Sequence, residues 1–160
     1  MTYSICGLAP ASFTSLFSLS DAELAACGAV RVTASADRGF PCRVSLEDAH
    51  AGEQLILLHH TSHDVATPYR SSYAIYVREN APSSAPFVDC TPPVFEGRPL
   101  GLRGFGEDGM LKDARLAVPG EADAAIRSLF ADPQIAYIHA HNAAPGCFAA
   151  RIDRFEDAGH

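Results

Sequence analysis

Residues 137–154 read YIHAHNAAPGCFAARIDR. Two runs of alternating residues flank AAPG (143–146), a short turn, so the segment is expected to form a β-hairpin. Alternation over 135–142 puts Ile135, Tyr137, His139 and His141 on one face, and Ala136, Ile138, Ala140 and Asn142 on the other. With Asn142 opposite Cys147, His141 falls opposite Phe148 and His139 opposite Ala150. Cys147 and Arg151 then lie on the face away from the histidines. A slip of one residue reverses that relation, so the register decides which polar groups meet.

Upstream of the hairpin, GEADAAIRSLFADP (120–133) is the clearest helix. Ala122, Ile126, Leu129 and Phe130 share a face, and Asp132-Pro133 stops it. Period-two patterns mark AVRVTA (29–34), QLILLHH (54–60) and YAIYVRE (73–79) as strands. Asp108-Gly109 sits between two strand-like runs and signals another hairpin, with Gly101, Gly104 and Gly106 marking bulges or close backbone approach. Residues 80–99 hold five prolines (Pro82, Pro86, Pro92, Pro93 and Pro99) and read as a long ordered loop. In 41–53, a short element and one helical turn capped by Ser45 are expected.

The first 28 residues look helical. Phe13, Leu16 and Phe17 form one apolar stripe, and Ser20 with Glu23 makes a capping box that opens a second helix ending at Gly28. The tail FEDAGH (155–160) carries no pattern and is expected to fray. The elements sum to an α+β fold: a curved, mostly antiparallel β-sheet with two N-terminal helices and one late helix. With 160 residues, a single domain spanning 1–160 is expected.

Composition excludes several function classes. Acids outnumber bases 19 to 12, for a net charge of −7. Nucleic acid and anionic membrane are therefore poor partners, because phosphate contacts need a basic surface. No apolar run approaches the roughly 20 residues of a membrane span. MTYSICGLAPASF (1–13) lacks a basic start, so no secretory signal is expected. The 5 cysteines are irregularly spaced with no CxxC pair, which points to free thiols and a cytoplasmic location. All but one of the 12 basic residues are arginine, the better side chain for gripping carboxylate or phosphate.

Three chemistries fit the polar residues. The leading one is a pocket for a small anionic molecule, with Arg43, Tyr69, Arg70, Arg78 and Asn142 binding it alongside His139 and His141. Chemistry there would use His139 or His141 as acid or base, or Cys147 as nucleophile. The second is a metal-dependent enzyme. His139 and His141, about 7 Å apart on one strand face, would share an ion completed by His63 or Cys147. The third is non-enzymatic: the hairpin and the proline-rich loop would form a homodimer or partner surface. No cofactor motif is present; GLRGFG (101–106) lacks the strand–turn–helix setting of a dinucleotide loop.

GFPCRVSLEDAHAGEQLILL, TPYRSSYAIYVRE and YIHAHNAAPGCFAARIDR, in that order and spacing, resemble a family of small bacterial proteins known as domain of unknown function 1203. The resemblance implies no activity. It marks Pro41, Cys42 and Arg43; His63, Pro68, Tyr69 and Arg70; Val77 and Arg78; and His139, His141, Asn142, Gly146 and Cys147 as the family pattern.

Overall fold

A computed structural model describes residues 2–156. Residues 157–160 of the tail, and Met1, lie outside the described residues. Among the described residues, nine strands form two antiparallel sheets, in the order β5-β1-β9-β8-β6-β7 and β2-β3-β4. The hairpin strands β8 (Tyr137–Asn142) and β9 (Phe148–Arg154) lie in the middle of the larger sheet. All six residues of β8 are buried. Its neighbour on the other side is β6 (Leu100–Phe105), joined to β7 (Leu111–Ala117) by the Asp108-Gly109 turn. The architecture is α+β, as the pattern of elements predicts.

One face of the larger sheet packs on helix α2 (Ala122–Phe130). Ile138 and Ala140 of β8, Ile152 of β9 and Leu102 of β6 meet Ile126 and Leu129 there. Each fully buried isoleucine or leucine contributes roughly 1.5–3 kcal/mol. β8 starts two residues later than its alternation suggests, so Ile135 joins this apolar core instead of the histidine face. The other face is covered by the far end of the smaller sheet, where β3 (Gln54–His63) and β4 (Ser71–Arg78) pair. β2 (Val30–Thr33) completes that sheet.

The N-terminal segment is not helical throughout. Tyr3–Cys6 forms strand β1, antiparallel to β9 and to the short β5 (Phe87–Val88). Tyr3 and Ile5 are fully buried, and pairing with the sheet overrides a weak local preference. Only 3-10 turns at Pro10–Ser12 and Thr14–Ser18 and the six-residue helix α1 (Asp21–Ala26) follow. The Ser20/Glu23 capping box opens α1 as expected. The helical turn expected after Ser45 is absent; Pro41 pairs with Asp48 and closes a tight loop instead.

That loop is the seam between the sheets. The backbone N–H of Arg43 donates to the carbonyl of Tyr76 in β4 (3.0 Å), and the Arg43 carbonyl accepts from Leu8, just beyond β1 (2.8 Å). The turn is held in a strained form. Leu46 has φ 57° yet is fully buried, a left-handed conformation that costs roughly 1–2 kcal/mol for a residue with a Cβ. Gly7 passes directly over Val44, and a Cβ there would strike the Val44 carbonyl. Gly7→Ala is therefore expected to lower stability by about 1–3 kcal/mol, read as a shift in the urea midpoint. An unchanged midpoint would show that the seam is not tightly packed.

Candidate functional site

The histidine face of β8 is a closed aromatic cluster. His63, from the end of β3, donates from Nδ1 to the carbonyl of Tyr69 (2.8 Å). A carbonyl only accepts, so in the neutral ring Nε2 accepts from the Tyr137 hydroxyl (2.6 Å). The ring centroid of His139 lies 5.0 Å from that of His63 and 5.1 Å from that of Phe148. His141 meets Tyr73 at 4.8 Å and donates from Nδ1 to the Gly146 carbonyl (3.0 Å). Nδ1 of His139 is buried without a partner.

Burial disfavours the charged rings. It pushes His139 down to about 3, helped by His63, Arg151, His141 and Arg103 nearby. It pushes His141 down to about 4, against the favourable bond to Gly146, with Arg103 and Arg43 adding to the depression. Both rings are neutral at physiological pH. They are built as packed polar members of a core, with Arg103 held on the Tyr73 hydroxyl at 2.9 Å beside them.

A bulge in the hairpin corrects the expected faces. Asn142 pairs with Cys147 and His141 with Phe148, as anticipated. Then Ala140 pairs with Ala150, leaving Ala149 as the extra residue, and His139 comes opposite Arg151. One added residue inverts the alternation. Arg151 thus returns to the histidine face, its guanidinium 4.1 Å from the Tyr137 ring centroid. Cys147, on the turn side of the bulge, stays with Asn142 on the other face.

There Cys147 lines a cavity of about 470 Å³ with Pro41, Arg43, Tyr76, Arg98 and Asn142. Gly146 supplies the φ of 81° that turns the chain back toward it. Arg43 is 2% exposed. Its Nε donates to the Phe148 carbonyl at the bulge, and Nη1 approaches the Pro41 carbonyl at 3.4 Å. Burial works against its charge, and the neighbouring thiol of Cys147 favours it. Arg98, at the end of the proline-rich loop, holds Asp48 through both carboxylate oxygens (2.9 and 3.0 Å).

The expected site residues therefore separate. Arg43, Asn142 and Cys147 share the cavity, whereas His139 and His141 lie in the closed cluster. Arg70 is exposed and pairs with Asp64 (3.4 Å). Arg78 bonds Ser45 and Glu53 and lies 3.6 Å from Glu47. This is the acid pairing that a structural role requires of both arginines. Tyr69 serves through its carbonyl, which accepts from His63 and Ser71. Cys147 has a guanidinium beside it, which cannot act as a base because it takes no proton. A metal lacks its further ligands: both nitrogens of His63 are occupied, and among the described residues no three His, Cys, Asp or Glu side chains are grouped to hold an ion.

Of the polar side chains on the cavity wall, Tyr76 and Arg98 are not marked as site residues by the sequence. Tyr76 shares the alternation of Ala74 and Arg78 in β4, a signal that was available. Arg98 carries none, because only the folding of the proline-rich loop brings it to Arg43.

The model of a protein family of unknown function, DUF1203, matches residues 39–154. The chain belongs to the DUF1203 family. The match takes in the seam loop, both strands of the long hairpin and the final hairpin, so both polar sites of this DUF1203 protein fall inside it. No curated protein and no solved structure matches the chain. Among the described residues, no helix is long and apolar enough to cross a membrane.

The neutral histidines make a pH test of the closed cluster. An unfolded histidine takes a proton near pH 6.5, whereas His139 and His141 resist to about 3 and about 4. The unfolded state thus binds more protons in that window, and stability falls as pH drops through it. From pH 7 to pH 4.5 the loss is expected to be on the order of 5 kcal/mol for the two rings together, measured by urea unfolding. The double substitution His139→Phe, His141→Phe should flatten the profile above the carboxylate range; an equally steep profile would place the titration elsewhere.

Proposed function

We propose that this DUF1203 protein binds a small anionic molecule in the Arg43 cavity. The observation that supports this most is the state of Arg43. It is a buried cation on the wall of a 470 Å³ cavity, and among the described residues it forms no ion pair with a carboxylate. A buried charge without a counterion costs several kcal/mol. A bound carboxylate or phosphate would offset that cost and add charge-assisted hydrogen bonds. Asn142 supplies a neutral amide on the same wall, and Arg98 adds a second guanidinium. The size suits a small ligand, since such clefts run from roughly 300 to 1,000 Å³.

The proposal moves the pocket away from His139, His141, Tyr69, Arg70 and Arg78, and keeps Arg43 and Asn142. An anion held at about 100 times its Kd stabilises by about 2.7 kcal/mol, a rise in Tm of roughly 5–10 °C for a chain of this size. Thermal shift against a panel of phosphate and simple carboxylates should find such a rise. Arg43→Met is expected to abolish it and Arg70→Ala to leave it intact. A shift that survives Arg43→Met, or vanishes with Arg70→Ala, would remove the cavity as the site.

A further inference from the structure

We infer that the ligand of the Arg43 cavity is a monocarboxylate with an apolar body; this rests on the anion reading above and specifies its chemistry. The first ground is charge. Arg98 is already neutralised by Asp48, which it grips through both oxygens. Among the described residues the Arg43 guanidinium has no carboxylate within ion-pair distance, so the cavity offers one positive charge that no acid balances. A single carboxylate matches it. A phosphate dianion would bring one negative charge too many into a partly buried site, where excess charge is expensive.

The second ground is the wall. Apart from Arg43, Arg98, Asn142 and Cys147, the lining is apolar or aromatic, including Leu57, Ala74, Tyr76, Pro99 and Pro145. Tyr76 is braced by an edge contact with Phe40, the ring centroids 5.7 Å apart. A cavity of about 470 Å³ is far larger than a bare inorganic anion. An apolar group attached to the carboxylate would cover this wall and remove it from water. Arg43 and Asn142 come from the seam and the last hairpin, whereas Leu57, Ala74 and Tyr76 come from β3 and β4. The cavity thus sets an apolar wall beside its charge, which suits an amphipathic acid.

The test is isothermal titration of the full chain with three probes: phenylacetate, its neutral analogue 2-phenylethanol, and inorganic phosphate. Phenylacetate is expected to bind at least 10-fold more tightly than either of the others. Arg43→Met should weaken it at least 10-fold. Ala74→Trp, at an exposed position that lines the cavity, should do the same by filling the space with the charge left in place. Because Arg43 is buried and its substitution can unfold the chain, Ala74→Trp carries the localisation by itself if needed. Unchanged phenylacetate affinity in Ala74→Trp would overturn the inference. Tighter binding of phosphate than of phenylacetate would overturn the apolar body and leave the anion pocket standing. Equal binding of phenylacetate and 2-phenylethanol, or no binding of any probe, would overturn both.

Discussion

Arg43 joins the two sheets. Its backbone adds to the edge of β4 and takes the chain leaving β1, and its side chain reaches the Phe148 carbonyl in β9. A strained Leu46 and a Cβ-free Gly7 allow the loop to run this close. A hydrophobic side chain could fill the space but could not donate to that carbonyl. The charge is therefore both the fastener of the seam and a burden on it, because burial disfavours it and among the described residues no carboxylate pairs with it. A site that is already desolvated, rigid and positively charged is what an anion needs; the ordering cost has been met by the fold.

The same hairpin serves two different environments. One face of β8 carries His139 and His141 into a sealed aromatic layer between the sheets, where low dielectric keeps them neutral. The turn beyond it carries Asn142 and Cys147 to the open cavity. His141 connects them, since its Nδ1 holds the Gly146 carbonyl in the turn that positions Cys147. The histidines thus support the shape of the cavity wall from behind. Neither shares the cavity with Arg43, and their alternation along the strand is a packing feature as much as a chemical one.

Local chemistry was legible wherever it was local in cause. The Ser20/Glu23 capping box, the Asp108-Gly109 turn, helix α2 and strands β3 and β4 all follow from neighbouring residues, and they stand in the fold. Strand β1 was not legible, because four residues at a chain end acquire their conformation from β9 and β5. Arginine-rich segments suggest an anion site; of Arg43, Tyr69, Arg70, Arg78 and Asn142, the fold brings Arg43 and Asn142 to one cavity. Arg70 and Arg78 look the same in sequence as Arg43; their distances to Asp64, Glu47 and Glu53 distinguish arginines paired with acids from the buried Arg43.

The sequence by itself determined the antiparallel α+β class, the central hairpin and the residue types available for chemistry, because alternation, turn residues and caps act over a few neighbours. The tertiary structure alone decided which of those residues meet. A bulge of one residue at Ala149 returns Arg151 to the histidine face while Cys147 stays on the other. Long-range packing brings Arg43, Arg98 and Tyr76 from three separate segments to one wall. The reason is physical: side-chain period is a local property of a strand, but parity across a bulge and proximity across sheets are set by the pairing of distant strands.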